Sequence, residues 1–437
     1  MIERGGHVTS DAVTLPLISA GVGQQQKTTG TSEHISASRI VEQIRNRSFS
    51  ESAQALLGAY RYLFEIRDSQ SIDGKLFQLG DLALLPTKGQ AFFFSDLEGN
   101  IDGLALAMDE LQMLERIKRN DPEDQVFICI LGDSIDKSRT SSELMEFLLE
   151  LKSDPTFSNN IVILPGNHEL TMDLQLESGG DADPYKRLGL REEILSARES
   201  YRSPDLTNEY VQAVGKLCYE SRFSTYRPYE QHPATPEQCA HEAQVGIWLL
   251  FNDIFQILPK MIVSPNGVCA SHAGFPVTDA FARFLNDPDP SDSYAIFGEL
   301  SRIADVDPNR SKCHPYNSAL NDLIWSDIDP ALDVEGAPLI GSNRRGCGGS
   351  PGRGVAFGHR ALDRFGAVSG ATLWIRGHQA NPPEGEGVEF KRRGAWRYKN
   401  CVTIQSNFDP GAFVAIDLST PKPTPDNLSF RTMPLAL

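Results

Sequence analysis

Five short polar segments, each preceded by an apolar run, hold most of the residues of this chain that could do chemistry. The segments are SDLEGN (Ser95–Asn100), GDSID (Gly132–Asp136), GNHE (Gly166–Glu169), SHAG (Ser271–Gly274) and RGHQ (Arg376–Gln379). Together they supply three carboxylates, one amide and two imidazoles as candidate metal ligands: Asp96, Glu98, Asp133, Asn167, His272 and His378. Oxygen and nitrogen donors of these types bind divalent cations, so the pattern predicts a hydrolytic site with two divalent metal ions.

A further histidine, His168, directly follows Asn167, so its side chain can face a leaving group while its neighbour binds metal. Asp136 lies three residues beyond Asp133 and is placed to hydrogen-bond the His168 imidazole, which would keep that imidazole protonated. An aspartate that bridges two ions about 3.5–4 Å apart is the usual geometry of two-metal phosphoester hydrolysis. We therefore predict attack by a hydroxide that bridges the metals, with His168 as the general acid and Asp136 as its partner.

The apolar runs before these segments are typical of buried strands: AFFF, QVFICIL, NIVILP, GVCA and TLWI. A strand followed by a polar loop, repeated along the chain, places the loops at one edge of a sheet, where open α/β folds bind ligands. Residues 90–166 alternate strand, helix, strand, helix and strand, which predicts a mainly parallel sheet with right-handed crossovers. Residues 372–418 return to a strand pattern.

The sequence predicts four segments along the chain. They are a disordered tail (1–35), a helical N-terminal segment (36–85), a catalytic domain (86–420) and a C-terminal tail (421–437). Ser36 and Ser50 are candidate N-caps of two helices in the N-terminal segment. Within the catalytic domain, residues 170–250 are predicted to form a helical insertion that caps one side of the site and could contact a protein partner.

Composition limits the classes of function that fit this chain. Its 437 residues are 40% apolar, enough for a substantial core, and its formal net charge of −17 argues against nucleic acid as a partner. No run approaches the ~18 apolar residues of a membrane span. The seven cysteines are scattered without a CxxC pair, which favours buried free thiols in a reducing compartment. We therefore expect a soluble cytoplasmic protein.

The same segments resemble the phosphoprotein phosphatase (PPP) family of the calcineurin-like metallophosphoesterase superfamily, over about residues 90–418. The resemblance extends to FQILPKMIVSPNGVCASHAGF (Phe255–Phe275), LIWSD (Leu323–Asp327), GRGVAFG (Gly352–Gly358) and CVTIQSNFDPGAFVAID. It implies an α/β fold, a β-sandwich of mixed sheets flanked by helices. It also implies a phosphoprotein substrate, with hydrolysis of phosphomonoesters on serine and threonine, on tyrosine, or on both.

The resemblance implies a role for each site residue. Two ligand sets share Asp133: Asp96, Glu98 and Asp133 would surround the first metal, and Asp133, Asn167, His272 and His378 the second. His168 would be the acid, Asp136 its partner, and Arg353 a clamp on the substrate phosphate. An all-carboxylate first site favours hard ions, so we expect Mn2+, with Mg2+, Fe or Zn as alternatives.

Three departures from the family pattern bear on function. Glu98 stands where the family's first motif, Asp-x-His, has histidine, and Lys137 stands where an arginine binds phosphate. The late loop that carries an aromatic–cysteine pair in the family is reduced to SNFDPGA, which leaves Phe408 nearby. Such divergence resembles that of secreted bacterial effector phosphatases of the Legionella type, for which the place of action would be the host cell cytosol.

Two other functions fit parts of the same pattern. One is a hydrolase of dinucleoside polyphosphates or other small phosphoesters within the same superfamily, although such enzymes tend to lack the LIWSD-like and GRGVAFG-like segments. The other is a non-catalytic phosphate-binding scaffold, because one metal ligand and one phosphate-binding residue are altered. Retention of Asn167, His168, Asp136 and Arg353 argues against a scaffold.

Overall fold

A computed structural model describes residues 35–47, 49–66, 77–135, 138, 140–170, 251, 254–277, 281, 299, 319–343, 354–407 and 410–434. Predictions for the N-terminal tail before residue 35 and for residues 171–250 of the helical insertion concern residues outside these ranges.

Eight α-helices and sixteen strands are described with full bounds. The helices are α1 (Ala37–Arg45), α2 (Phe49–Ile66), α3 (Ile101–Glu110), α4 (Met113–Arg119), α5 (Ser141–Ser153), α6 (Asn167–Leu170), α7 (Ala319–Trp325) and α8 (His359–Ser369), with 3-10 turns at Ser158–Asn160, Pro330–Asp333 and Pro425–Asn427. The strands are β1 (Phe77–Leu79), β2 (Leu82–Leu84), β3 (Gln90–Phe94), β4 (Val126–Ile130), β5 (Ile161–Ile163), β6 (Met261–Val263), β7 (Val268–Ser271), β8 (Asp327–Ile328), β9 (Ile340–Ser342), β10 (Val355–Phe357), β11 (Leu373–Arg376), β12 (Val388–Arg392), β13 (Ala395–Tyr398), β14 (Cys401–Ile404), β15 (Ala412–Asp417) and β16 (Ser429–Thr432).

The predicted βαβαβ unit forms one side of a five-stranded sheet in the order β16-β15-β3-β4-β5. Strands β3, β4 and β5 run parallel, as predicted, and β15 and β16 complete the sheet in antiparallel register. Helices α3, α4 and α5 form the crossovers. The single helix expected over the first crossover is instead two, because Gln112 adopts a left-handed backbone (φ 50°) between α3 and α4.

A second sheet of eight strands has the order β1-β2-β6-β7-β11-β14-β13-β12. Its centre is parallel where β7, β11 and β14 lie side by side, and its far edge is an antiparallel hairpin of β12 and β13. A third sheet, β8-β10-β9, is small and mixed. The fold is therefore mixed α/β, as predicted.

The core lies in layers that follow the alternation of strand side chains. Phe93, Phe127, Ile375 and their neighbours fill the space between the two large sheets. Phe92 and Phe94 point the other way, into a cluster with helices α1 to α5. The outer face of the eight-stranded sheet packs on α7 and α8. The molecule is thus a two-sheet sandwich with helices on both faces.

Three predictions at the ends of this fold were wrong in detail. Ser36 caps α1 as expected, but Ser50 is the second residue of α2, where the extended backbone of an N-cap is absent. Residues 77–84, predicted within the helical segment, form β1 and β2, because their apolar side chains join the sheet through β6. Residues 429–432, predicted within the C-terminal tail, form β16 against β15.

Cys129, Cys269 and Cys401 are buried free thiols, as expected for the scattered cysteines. Burial raises the pKa of each of these thiols. None of the helices in the described ranges combines the length and the apolar character that a bilayer crossing requires.

Candidate metal centre and active site

The five polar segments follow β3, β4, β5, β7 and β11, so the ends of both large sheets bring them together. Backbone hydrogen bonds fix their register. The Asp96 and Glu98 amides donate to the Gly132 and Asp133 carbonyls, each at 2.9 Å. Within the eight-stranded sheet, the Gly377 amide donates to the His272 carbonyl at 2.8 Å. The His378 amide joins the two sheets by donating to Oδ2 of Asp96, which follows β3, at 2.9 Å. The loops therefore form one continuous hydrogen-bonded rim.

Four of the predicted ligands meet in this rim. Asp133, His272 and His378 each offer a ligand atom within 4.8 Å of the other two. Oδ1 of Asn167 lies 2.9 Å from Nε2 of His272 and 3.0 Å from Nδ1 of His378. These are the four residues expected around the second metal, and among the described residues they form a compact set of N and O donors.

The tautomer of His272 is fixed by its surroundings. Its Nδ1 lies 2.8 Å from the Leu131 carbonyl oxygen, which can only accept, so Nδ1 carries a proton. In the neutral imidazole, Nε2 is then the free donor of an electron pair, and it faces Asn167 and Asp133, whose Oδ2 lies 3.3 Å away. Orientation of a metal-binding histidine through its other nitrogen is a recurrent feature of metal sites.

Burial and charge shift the titration of this group. Desolvation lowers the pKa of His272, but the carboxylates of Asp133, Asp96 and Glu169 outweigh it and raise the pKa to about 9. Burial raises the pKa of Asp96 to about 6. Desolvation acts the same way on Asp133, but His168 and His272 outweigh it, so the Asp133 pKa falls below its ordinary value. The raised pKa of His272 favours the protonated imidazole in the protein without metal.

Four of the predicted ligands have a left-handed backbone: Asp96 (φ 50°), Glu98 (φ 45°), Asp133 (φ 51°) and His378 (φ 67°). They are half of the non-glycine residues with positive φ in the described ranges. Such a conformation costs about 1–3 kcal/mol per residue and tends to cluster at active sites. Here the strain turns side chains from different loops towards one centre.

Two glycines permit this convergence. A Cβ atom on Gly377 would lie 2.1 Å from Oδ2 of Asp96, and one on Gly166 would lie 2.2 Å from Oδ1 of Asp133. Those distances are far inside van der Waals contact, so only glycine lets the third and fifth segments approach the carboxylates this closely.

The remaining predicted residues fall into two groups. His168 lies at the edge of the cluster, with Nε2 3.6 Å from Oδ2 of Asp133 and its side chain 20% exposed. Glu98 is buried and accepts a hydrogen bond from the side-chain amide of Asn407. The other three predicted site residues, Asp136, Lys137 and Arg353, lie outside the described residues.

Glu169 has a role that the sequence patterns left unassigned. Its buried carboxylate accepts backbone hydrogen bonds from Gly166 (2.8 Å), Asp133 (3.0 Å), Ser134 (2.7 Å) and Ile135 (3.2 Å). It thereby joins the second and third segments behind the metal ligands. In the sequence, Glu169 is the last residue of GNHE, three positions after the loop glycine Gly166. This acidic residue at this spacing could have identified the role of Glu169.

The LIWSD segment also reaches the site. The Trp325 ring lies edge-on to the His378 ring, with centroids 5.5 Å apart. Arg376 is fully buried, and its guanidinium donates to the carbonyl oxygens of Ser326 (2.9 Å) and Gly377 (3.1 Å). Arg376 therefore supports the loop and cannot reach a substrate phosphate from this position.

The residues present fit a divalent cation. The donors are one carboxylate, one amide oxygen and two imidazoles, a set that suits manganese, iron and zinc. The Leu131 carbonyl fixes the first imidazole, and Gly166 and Gly377 leave room for the carboxylates. The Oδ1 atom of Asn407, next to Glu98, is buried without a hydrogen-bond partner among the described residues.

Comparisons with known proteins identify the family of this chain and its fold. The family model for calcineurin-like phosphoesterases matches residues 90–382, which is more than half of the chain. A protein serine/threonine phosphatase from Saccharomyces cerevisiae with similarity to human phosphatase PP5 superposes with a TM-score of 0.50, at 15% identity, over 92% of this chain and 96% of that one. A cold-active protein-tyrosine phosphatase of a psychrophilic Shewanella species gives a TM-score of 0.38, at 13% identity, over 84% of this chain and 85% of that one.

This chain belongs to the calcineurin-like phosphoesterase family. Its fold is that of the metallophosphoesterases, and its family and site define a metal-dependent phosphoester hydrolase.

Proposed function

We propose that this protein is a phosphoprotein phosphatase that uses two divalent metal ions to hydrolyse phosphomonoesters on serine and threonine, on tyrosine, or on both. The observation that carries the proposal is the convergence of Asp133, Asn167, His272 and His378 with His168 at the open edge of the cluster. When bound, the cations would place positive charge on the phosphate oxygens and lower the pKa of a water molecule that attacks phosphorus.

His168 would protonate the leaving oxygen of the substrate. Its backbone amide donates to Oδ1 of Asp133 at 3.0 Å, which fixes the start of α6 against the metal ligands. Its side chain is 20% exposed, whereas His272 is buried, so a bound phosphoester could reach His168. The charge of Asp133 favours the protonated imidazole that a general acid needs. We propose that Asp136 supports the same protonation state.

Arg353 and Lys137 would bind the substrate phosphate. Arg353 directly precedes Gly354, and a Cβ atom on Gly354 would lie only 2.7 Å from the Ser326 backbone nitrogen. Gly354 therefore packs against the end of LIWSD, whose Trp325 contacts His378. We propose that the guanidinium fork of the adjoining Arg353 grips two oxygens of the substrate phosphate.

The two proposed metal sites differ in ligand chemistry. Asp96, Glu98 and Asp133 offer only carboxylates, which favours Mn2+ or Mg2+ at the first site. The second site mixes one carboxylate with amide and imidazole donors, which Mn2+ also accepts, as do iron and zinc. Mn2+ is therefore the ion that suits both proposed metal sites.

A substrate panel tests the function. Purified protein would be incubated with Mn2+, Mg2+, Zn2+ or Ca2+ and with phosphoserine, phosphothreonine and phosphotyrosine peptides, p-nitrophenyl phosphate and a dinucleoside polyphosphate. Metal-dependent release of phosphate from the peptides supports the proposal. A strong preference for the dinucleotide would assign the protein to small phosphoesters, and metal binding without hydrolysis would assign it to a scaffold role.

The His168→Ala variant tests the mechanism. Turnover of phosphoserine and phosphothreonine peptides should fall about 10²–10⁴-fold, because their alkoxide leaving groups need a proton. Turnover of p-nitrophenyl phosphate should fall much less, because its phenolate leaves without one. His359→Gln, at a histidine paired with Asp333 outside the cluster, is the matched control. Equal losses on both substrates would remove His168 from the role of acid.

A further inference from the structure

The hairpin of β12 and β13 carries the only run of three consecutive lysine or arginine residues in the chain. Lys391 and Arg392 end β12, and Arg393 begins the turn, in a protein whose formal net charge is −17. Lys391 and Arg393 are exposed, and Arg392 is partly buried. We call these three residues the basic tip. Because the chain as a whole repels acidic molecules, an acidic partner needs a local basic surface of this kind.

The basic tip lies at the active-site end of the eight-stranded sheet. Its turn consists of Arg393 and Gly394, because the residues on either side pair with each other. The Gln405 amide donates to the Gly394 carbonyl at 2.7 Å, and a Cβ atom on Gly394 would lie 2.6 Å from the Gln405 carbonyl oxygen. The amide of the next residue, Ser406, donates at 2.8 Å to the carbonyl of Ser95, which begins the first polar segment of the site. The stretch Gln405–Ser406 therefore contacts both the basic tip and the site.

Only part of the positive charge of this hairpin is neutralised. Glu389 forms salt bridges with both Lys391 (2.8 Å) and Arg397 (2.7 Å), and Arg397 also pairs with Asp426 at 2.6 Å. Arg392 donates to a threonine hydroxyl of β16 at 2.8 Å. Neither Arg392 nor the arginine that follows it has a salt bridge among the described residues. Both guanidinium charges therefore remain for a partner.

The edge of the sheet at β12 favours contact through side chains. The register shifts between Phe390 and Arg392, and Lys391 lies on this outermost strand. Bulges and lysines both discourage the addition of a further strand at a sheet edge. Phe390, next to the basic tip, is 66% exposed and offers an apolar surface. A partner would thus bind here by charge and by apolar contact, without extending the sheet.

Distances across the sheet indicate which part of a substrate would meet the basic tip. The strands lie in the order β11-β14-β13-β12, and β11 leads directly to His378. Neighbouring strands are about 4.8 Å apart, so the tip lies roughly 10–15 Å across the sheet from β11. An extended peptide rises about 3.3 Å per residue, so the tip would meet side chains about three to five residues from the phosphorylated one.

We propose that the basic tip binds acidic side chains that flank the phosphorylated residue of a protein substrate, which makes the enzyme selective for acidic phosphopeptides. This inference rests on the proposed function, because it assumes a phosphoprotein substrate at the metal centre. Arginine suits the role, since its planar guanidinium donates two parallel hydrogen bonds to one carboxylate. A single exposed charge pair contributes little, so the selectivity depends on several charges acting together.

Kinetics with a matched peptide series test the proposal. Phosphoserine peptides would carry glutamates about three to five residues before or after the phosphoserine, and reference peptides would carry glutamine at the same positions. For the wild type at low ionic strength, kcat/KM should be about tenfold higher for one acidic peptide than for its reference. The gain should appear mainly in KM, because the flank is bound equally in the ground state and the transition state. High salt should reduce the preference.

Arg393→Glu is the principal variant, because Arg393 is exposed and a glutamate there repels an acidic flank. The ratio of kcat/KM between the acidic and the glutamine peptide should fall to about one or below. Lys118→Glu is the matched control, since it makes the same change in net charge at an exposed lysine. Lys118 lies near Gln125, at the start of β4 and so at the end of that strand away from the site. This variant should keep the wild-type ratio.

Several results would overturn the proposal. One is a wild type with equal kcat/KM for acidic and glutamine peptides. Others are a preference that survives Arg393→Glu, or one that Lys118→Glu abolishes to the same extent, which would assign it to overall charge. Binding of the wild type to phosphatidylserine vesicles, without a preference for acidic peptides, would assign the basic tip to a membrane surface and would also overturn the proposal.

The failure of the inference and that of the proposed function can be told apart. A wild type that hydrolyses no phosphopeptide contradicts the function. The role of the basic tip is then decided by the fluorescence anisotropy of a labelled, unphosphorylated acidic peptide: binding that Arg393→Glu weakens supports the tip as a site for acidic segments, and absence of binding contradicts it. A wild type that hydrolyses acidic and glutamine phosphopeptides equally well contradicts the inference alone.

Discussion

The backbone amide of His378 donates a hydrogen bond of 2.9 Å to Oδ2 of Asp96. His378 follows β11 of the eight-stranded sheet, and Asp96 follows β3 of the five-stranded sheet. The bond therefore joins the two sheets of the sandwich at the metal centre. Ser95 donates to the same carboxylate oxygen at 2.8 Å, so the direction of this ligand is set before any cation arrives.

The backbone of Gly377 lies close to Ser95 and Asp96, and the first prediction is for the Gly377→Ala variant. The new methyl group would lie 1.8 Å from Oγ of Ser95 and 2.1 Å from Oδ2 of Asp96, so the two loops must move apart. We expect a loss of about 2 kcal/mol or more in unfolding free energy, together with much weaker Mn2+ binding. Chemical denaturation and calorimetry measure the two effects.

Gly58→Ala is the matched control for that variant. Gly58 is an exposed residue within α2, and no atom lies within 4 Å of the place where its Cβ would stand. Alanine there should stabilise the protein by about 0.5–1 kcal/mol. If Gly377→Ala kept wild-type stability and metal affinity, the two loops would have to be less tightly apposed than the structure has them.

Glu169→Gln should damage the site without removing any ligand. The carboxylate accepts four backbone hydrogen bonds, whereas an amide offers one oxygen and turns two donors towards the same N–H groups. We expect about 2–3 kcal/mol less stability and weaker metal binding, since the loop of Asp133 loses its anchor. Denaturation and Mn2+ titration of the same preparation provide the measurement.

Glu143→Gln shows what a carboxylate-to-amide change does at the surface. Glu143 pairs with Arg45 at 2.8 Å in a partly exposed position, where such a pair contributes about 0–1 kcal/mol. An effect of Glu169→Gln no larger than that of Glu143→Gln would show that the backbone cradle is dispensable.

The placement of the site was largely predictable from sequence, because each ligand follows an apolar run long enough to identify a buried strand. Strands such as β3 and β4 have five residues each, and their order along the chain fixed the sheet edge at which the loops meet. Asp133, Asn167, His272 and His378 duly lie together.

The features that could not be predicted from sequence depend on very short elements or on contacts between residues far apart along the chain. Strands β1 and β2 have three residues each, too few to show a period, and lie either side of the Gly80–Asp81 turn. The pairing of Glu98 with Asn407 spans 309 positions and follows no local pattern. The four backbone bonds to Glu169 depend on loop conformations that only the folded chain defines.

The last prediction concerns the pH dependence of metal binding through His272. The pKa of this imidazole is raised to about 9 in the metal-free protein by Asp133, Asp96 and Glu169, against the effect of burial. A cation must displace the proton from Nε2, so apparent Mn2+ affinity should rise up to about tenfold per pH unit between pH 6.5 and 8.5. Calorimetry in buffers of different ionisation enthalpy should detect about one proton released per ion.

The stability of the metal-free protein should fall as pH rises, whereas its affinity for Mn2+ should increase. A histidine whose folded pKa exceeds its unfolded value stabilises the fold fully below pH 6.5, and that contribution is lost as pH rises towards 9. Chelator-treated protein should therefore unfold more easily across this range, while Mn2+-loaded protein should not. His272→Gln should abolish both trends, and His359→Gln should preserve them. A flat affinity profile in the wild type would mean that His272 already binds as the neutral imidazole, and the proton-displacement argument would fail.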